Sequence, residues 1–257
     1  MPLTTAEITA WLGTFAWPWI RVSAMLMAAP VFGHVQVPVR LRVFLGVVLA
    51  VAMLPAVGEV PAVDPFSVTA LMIAVQQVLI GVLIGLLLSI AFQAIVVAGE
   101  SISLTMGLGF ATMVDPQNGS VPVLSQFLII LATLVFLGLG GHLMLIELLA
   151  VSFELMPVSA DGFARADFLA VAAFAAQMFA GAVLIALPAV TVLLGVQLAM
   201  GIMTRAAPQM NIFSVGFPVT MLLGFGTVLF LVLPVLTPRM MALWENAFGL
   251  ARRLVGG

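Results

Sequence analysis

Hydrophobic residues form long runs along almost the whole chain, separated by short polar segments. Runs without a charged residue occupy residues 43–57, 65–99, 168–204 and 206–238. The hydrocarbon core of a bilayer is about 30 Å thick and is crossed by about 20 helical residues. The run at residues 65–99 would rise about 50 Å as one helix. The pattern therefore predicts several helices, some of them longer than a membrane is thick.

Proline, glycine and polar residues interrupt these runs at defined places. The run at residues 43–57 is short for a membrane span, and a further run at residues 122–146 is broken by GLGGH at residues 138–142. The two C-terminal runs predict a helical hairpin, because the proline and asparagine of RAAPQMNIF at residues 205–213 favour a compact turn. The final segment, residues 239–257, is amphipathic and predicts a helix at the membrane surface.

The composition places the chain among integral membrane proteins. Of its 257 residues, 64% are hydrophobic and only 7% are charged, whereas soluble domains carry about 25% charged residues. The chain has no cysteine, which excludes disulfides, and its net charge of −2 offers no basic patch for nucleic acid. The sequence contains no zinc motif, phosphate-binding loop or Ser–His–Asp set, so we expect neither an enzyme nor a bound cofactor or metal. His34 and His142 are expected to be packed or interfacial residues.

Arg21 lies inside the first apolar run, at residues 8–32. A charge deep in hydrocarbon costs at least about 2.5–3.5 kcal/mol. One interpretation is that the side chain reaches back to the membrane surface. The other is that it pairs with an acidic residue or faces an aqueous cavity, which would make it a functional intramembrane charge.

Two pairs of residues in the run at residues 65–99 indicate close helix packing. Gln76 and Gln77 are amides that need partners if they are buried. Gly81 and Gly85 form a GxxxG pattern, which lets two helix backbones approach closely. We expect this face to contact a neighbouring subunit or other helices of the same chain.

The central segment, residues 99–127, interrupts the hydrophobic pattern in a different way. Small residues and the turn-forming sequence DPQNGS make it a poor membrane span. Irregular backbone next to membrane-spanning sequence must be buried by protein or solvated by a water-filled cavity. The segment is therefore either a loop that joins two spans or a loop that turns into a pore.

Several motifs resemble, in order, those of the FliR family of flagellar export-gate proteins. They are WPWIRVSAMLMAAPVF at residues 17–32, VPVRLR at 37–42, FSVTALMIAVQQVLIGVLIG at 66–85, MGLGFATMVDP at 106–116, LIELLAVSFELMPVS at 145–159, and RAAPQMNIF followed by SVGFPVT at 205–220. The resemblance spans nearly the whole chain.

The resemblance implies an all-α integral membrane protein with long broken helices and helical hairpins. Residues 1–160 would form a half similar to FliP, including a plug loop at residues 106–122, and residues 161–257 a hairpin similar to FliQ with a C-terminal tail. The implied function is that of a core subunit of the flagellar type III export gate, through which unfolded flagellar proteins pass. FliP-like and FliQ-like subunits would be its pore partners, and FlhB-like and FlhA-like components would join them in the flagellar basal body of the bacterial inner membrane. The alternatives are the equivalent injectisome subunit and a secondary transporter.

This assignment gives each candidate residue a role. The expected pore or plug residues are Met106, Gly107, Gly109, Phe110, Met113, Asp115, Pro116, Asn118 and Gly119. The expected subunit-packing residues are Gln76, Gln77, Gly81, Gly85, Arg205, Pro208, Gln209, Asn211, Phe213, Gly216 and Pro218. Apolar side chains such as Met106, Phe110 and Met113 could exclude water from a closed pore. Glycines beside them would leave room for the backbone.

Overall fold

The computed structural model describes residues 5–108, 122–160, 162–207 and 212–256, with side chains for all of these except residues 5–12 and 212–214. Helices are the only long regular elements across this part of the chain, as predicted. They are α1 (Thr5–Ala28), α2 (Val39–Met53), α3 (Val68–Thr105), α4 (Val123–Gly138), α5 (Gly141–Leu155), α6 (Arg165–Ala206), α7 (Ile212–Thr227) and α8 (Leu233–Gly256). A 3₁₀ turn, Leu54–Ala56, follows α2, and a π-helical segment, Val228–Val232, joins α7 to α8.

The longest helices exceed the thickness of a bilayer, as their charge-free runs predict. α3 has 38 residues and α6 has 42, which correspond to about 57 and 63 Å of helix. In the described residues, four helices are long and apolar enough to cross a membrane, or five if the bent pair α4–α5 counts as one span. The chain is therefore an all-α membrane protein.

Some helix ends coincide with the predicted breaks, but α3 continues through Glu100 to Thr105, past the predicted end of its run at residue 99. Ser67 accepts a hydrogen bond from the amide of Ala70 and so caps the start of α3. α4 and α5 meet at an angle of 64°, and the residue between them, Gly140, has a φ of +74°. Left-handed backbone of this kind favours glycine, which explains why the run breaks there.

The C-terminal tail differs from its prediction. The structure has no separate surface helix at residues 239–256, because α8 is continuous from Leu233 to Gly256. One face of α8 is buried within the fold, at Met240, Leu243, Trp244, Ala247, Phe248, Ala251 and Val255. The amphipathic pattern arises because this face packs against protein.

The chain forms two compact units, each assembled from separate segments. The first unit comprises Met1–Ile90, Leu137–Phe174 and Glu245–Gly257. The second comprises Ala91–Phe136 and Ala175–Trp244, and its core includes Phe92, Phe136 and Trp244 with ring centroids 5.1–5.5 Å apart. The division into residues 1–160 and 161–257 stays a prediction.

Candidate functional site

Within the first unit, α1 and α3 cross at the predicted GxxxG pattern. A Cβ atom on Gly81 would overlap the carbonyl oxygen of Arg21 and lie 2.9 Å from atoms of Ala24 and Met25. A Cβ on Gly85 would lie 2.7–2.8 Å from Ala28, Ala29 and Met25. Real Cβ atoms do not come that close, so both glycines are required for the two backbones to touch. The glycine pair thus packs against α1 of its own chain.

Arg21 projects from this crossing into a fully buried pocket. Its Nε donates to the side-chain oxygen of Gln77 on α3 at 2.8 Å. Nη1 donates to the carbonyl and the hydroxyl of Ser152 on α5, at 2.7 and 3.1 Å, and Nη2 donates to the carbonyl of Met156 at 2.8 Å. The guanidinium therefore joins three helices through four hydrogen bonds.

The C-terminal end of α5 supplies the negative partial charge that Arg21 faces. Ser152 and Met156 belong to the last turn and the C-terminal cap of that helix, and the carbonyl of Ser152 also accepts the bond from the amide of Met156. The last carbonyls of a helix point outward with few partners of their own. A helix C-terminus carries the equivalent of about half a negative charge. The guanidinium also lies 4.2 Å from the ring centroid of Phe153, a distance typical of a cation–π contact. Arg21 thus caps α5.

This geometry corrects both interpretations of Arg21. The side chain does not reach a surface, since it is fully buried. Its hydrogen-bond acceptors are neutral groups, in place of the expected carboxylate or aqueous cavity. The physical reason is that a helix end and several strong acceptors can replace a counter-ion for a planar guanidinium.

The two glutamines of α3 have different surroundings. Gln77 is fully buried and uses its side-chain oxygen to accept the bond from Arg21. Gln76 lies directly beside Gly162, where any Cβ atom would overlap its amide group. Both amides therefore contact their own chain, which was one of the two expected outcomes.

The central segment is shorter than predicted, because residues 99–105 belong to α3 and residues 123–127 to α4. Within the second unit, its start is therefore defined by the end of α3. Gly107 has a φ of +83°, its amide donates to the carbonyl of Leu104, and the amide of Leu108 donates to Ser103. These two bonds form a Schellman motif, which ends a helix at a left-handed residue. Gly107 therefore lets the chain leave α3, and a Cβ atom built on it would lie 3.7 Å from the ring of Phe217 on α7.

Met106 is almost completely buried at this helix end. A Cβ atom on Gly224 of α7 would lie 2.5–2.8 Å from the Cε, Cγ and Sδ atoms of Met106, so the methionine side chain covers that glycine. On α6, Gln197 donates from Nε2 to the carbonyl of Thr105 at 2.6 Å. The structure thus places Met106 in packing contact with α7. The other pore or plug residues, Gly109 to Gly119, lie outside the described residues.

The hairpin turn is described only at its edges. Arg205 is exposed in the last turn of α6, and in α7 Gly216 is buried and Pro218 exposed. Phe213 is described by its backbone within α7. Pro208, Gln209 and Asn211 lie outside the described residues, so the turn itself stays a prediction.

An apolar cleft of about 690 Å³ opens beside the end of α3 in the second unit. It is lined by Leu108, Val123, Leu124, Phe127, Met221, Leu222, Phe225, Gly226 and Leu229. Across the described residues, no three His, Asp or Glu side chains come together as a metal site requires. The apolar lining of the cleft can pack against other apolar groups and exclude water.

Sequence reasoning missed the residues that complete these sites. Ser152 and Met156 lie 131 and 135 positions from Arg21, and Gln197 lies 92 positions from Thr105. A lone polar residue in an apolar run is the one signal that could have identified Gln197, because such a residue needs a partner. No pattern marks a backbone carbonyl as an arginine acceptor.

Comparison with known proteins gives a consistent result along the chain. The family described as bacterial export proteins, family 1, matches residues 12–247. The Flagellar biosynthetic protein FliR of Pectobacterium carotovorum subsp. carotovorum is 41% identical over 95% of this chain and 93% of its own length. The proteins of the same name from Escherichia coli (strain K12) and Aquifex aeolicus (strain VF5) are 36% and 32% identical. Those matches cover 99% and 90% of this chain, and 97% and 89% of the relatives.

The predicted motifs, the long apolar helices and these matches agree. Helices of 38 and 42 residues exceed what a single span requires, and the family match reaches from α1 to α8. The chain belongs to the FliR family of bacterial flagellar export proteins.

Proposed function

We propose that this chain is a core subunit of the flagellar type III export gate in the bacterial inner membrane. In this proposal, FliP-like and FliQ-like subunits surround it to form the pore for unfolded flagellar proteins. FlhB-like and FlhA-like components join the same apparatus. Support comes from the family membership and from the flagellar name shared by relatives in distant bacteria.

The exposed apolar length of α6 is the observation that carries the assembly proposal. Large apolar side chains are exposed from Phe168 to Met203 along this helix, a rise of about 52 Å. Membrane helices tilt by up to about 40°, so a 30 Å hydrocarbon core covers at most about 39 Å of helix. Lipid alone therefore leaves part of the apolar face in water. A protein partner would cover the remainder.

Site-specific photo-cross-linking tests this assembly. A photoreactive residue placed at Phe168, Leu187 or Met203 should capture a partner subunit from at least one position, since one membrane cannot cover all three. The matched control is Leu193, which is fully buried on the same helix and should give only cross-links within the chain. Exclusive labelling of lipid at all three exposed positions would contradict the proposal.

For the central segment, we propose that residues 106–122 close the resting pore. Phe110 and Met113 carry this role, since apolar side chains can expel water and ions from a narrow passage. Met106 and Gly107 would lie where the segment leaves α3, which their contacts on α7 support. Deleting residues 107–111 should leave the complex assembled but leaky to ions. A deletion that assembles, exports and stays ion-tight would refute the plug.

Affinity purification of the tagged chain distinguishes a gate subunit from the alternative functions. A gate subunit should bring two further small hydrophobic proteins with it, whereas a secondary transporter should be recovered alone and bind a small solute. Restored motility in a flagellar strain that lacks this gene would support the flagellar machine over the injectisome. Normal motility without the gene would contradict the flagellar role.

A further inference from the structure

Three contacts in the second unit hold the point where the chain leaves α3. We call Thr105, Met106 and Gly107 the stem of the central segment. The stem is contacted by Gln197 of α6 and by Phe217 and Gly224 of α7. Both contacting helices belong to the predicted C-terminal hairpin.

The hydrogen bond from Gln197 completes the end of α3. The carbonyls of Ile102, Ser103 and Leu104 already accept bonds from the amides of Met106, Leu108 and Gly107. The carbonyl of Thr105 comes next, and it accepts the bond from Gln197. The last carbonyls of a helix have no partner within the helix, so this bond satisfies a group that would otherwise require water.

Met106 and Gly224 form the second contact. The thioether covers the backbone of α7 at a position where the absence of a Cβ atom makes room for it. The methionine side chain is flexible and unbranched, so Met106 can move out of the space beside Gly224 and return to it with little strain. Gly224 also lies four residues before a π-helical segment, and such segments often mark functional positions in helices.

We propose that Gln197 is a positioning residue that, together with the Met106–Gly224 contact, holds the stem in the resting state of the gate. The C-terminal hairpin then sets where the central segment starts, and a movement of the hairpin would be transmitted to it. This inference rests on the proposed function and adds a residue to it.

The main test compares variants of Gln197 in the purified complex reconstituted into liposomes. Gln197→Leu removes the donor at similar size, and Gln197→Glu places an acceptor against the Thr105 carbonyl. Both should assemble with normal yield and raise the resting ion leak several-fold, with Gln197→Glu the larger. Thr191→Val is the matched control, because this exposed α6 hydroxyl bonds only within its own helix. Its leak should equal the wild type.

A size exchange tests the second contact independently. Gly224→Ala should raise the leak by displacing Met106, and adding Met106→Ala should lower it again because the new methyl group gains space. Leaks that simply add in the double variant would contradict a shared contact. Should Gly224→Ala fail to assemble, the Gln197 variants still decide the question.

The outcomes separate this inference from the proposed function. An intact complex in which both Gln197 variants are as ion-tight as the wild type overturns the positioning role alone. A wild-type chain that never forms a complex overturns the proposed function. Lost assembly in the Gln197 variants would also overturn the inference, since it would show a general packing role.

Discussion

The Arg21 crossing and the stem of the central segment are held by very different means. At the crossing, one buried side chain makes four hydrogen bonds that join α1, α3 and α5, and two glycines bring α1 and α3 into backbone contact. At the stem, one exposed glutamine makes a single bond, and a methionine covers one glycine. We therefore expect the crossing to act as a fixed frame in the first unit and the stem as an adjustable attachment in the second.

The buried hydrogen bonds of Arg21 and the apolar packing of Met106 respond differently when the helices around them move. If Arg21 lost its acceptors, its charge would remain unpaired in a low-dielectric interior. Any rearrangement of the crossing that separates them therefore has a high free-energy cost. Methionine loses little when it shifts to another apolar surface, and the apolar cleft beside Leu108 offers such a surface. In the proposed gate, we expect the stem to be the part that moves and the crossing the part that does not.

The largest effect is expected from filling the α1–α3 crossing. Gly81→Leu combined with Gly85→Leu should abolish recovery of the chain in the complex, because even a Cβ atom at either site overlaps α1. Overpacking typically costs about 1–3 kcal/mol per site and more where backbone must move. Gly195→Ala is the matched control, since nothing lies within 4 Å of that helical position. Normal recovery of the double variant would show that the crossing is not fixed.

The next effect is expected at Arg21. Arg21→Leu strands the acceptors on Gln77 and Met156, at about 1–3 kcal/mol for each buried group. Arg21→Lys keeps the charge but replaces a planar fork by one nitrogen, so it should also lower the yield and the midpoint of thermal unfolding. The exposed Arg252→Lys is the matched control. An Arg21→Lys variant as stable as the wild type would mean that charge alone suffices.

A smaller and more local effect is expected at Gly107. Gly107→Ala must place an L-residue at a φ of +83°, which costs about 1–2 kcal/mol, although space for the methyl group exists. Assembly should therefore survive while the resting ion leak rises. If assembly fails and the leak of any residual complex is normal, the stem belongs to the frame.

The smallest effect is expected at Ser152. Ser152→Ala removes one acceptor of Arg21 at 3.1 Å and leaves the backbone carbonyl of the same residue in place at 2.7 Å. We expect a loss of about 1 kcal/mol in the free energy of unfolding, with normal export. A loss as large as that of Arg21→Leu would show that the hydroxyl contributes more than the carbonyls.

Sequence patterns predicted the parts of the fold that depend on local chemistry. Charge-free runs predicted that α3 and α6 exceed the thickness of a bilayer, glycine predicted the break at Gly140, and the GxxxG pattern predicted a close crossing. The end of α3 was predicted wrongly, because a helix whose end is covered by protein can include a charged residue such as Glu100. The patterns could not show that α1 of the same chain is the partner of Gly81, because a periodicity does not specify which helix lies opposite. The tail after Arg239 was mistaken for a surface helix, since burial by protein and by a membrane surface give the same amphipathic signal.

The candidate site was less predictable for a physical reason. Arg21 could be identified as unusual from its position in an apolar run, but its partners are backbone carbonyls and two side chains from distant segments. Carbonyls are present at every residue and leave no trace in a sequence. Gln197 is similar, because its role depends on which carbonyl ends α3 beside it.

Hydrogen–deuterium exchange of the intact complex tests the contrast between frame and attachment most directly. The exchange rate of an amide reports the free energy of the local unfolding that exposes it. Exchange therefore compares the local stability of the two regions within one sample. We expect slow exchange for the amides of Met25 and Met156 beside Arg21, and much faster exchange for those of Met106, Gly107 and Leu108. Gln197→Leu should accelerate only the second set. Equal protection of both sets, or a Gln197→Leu variant that leaves the stem amides unchanged, would contradict the account.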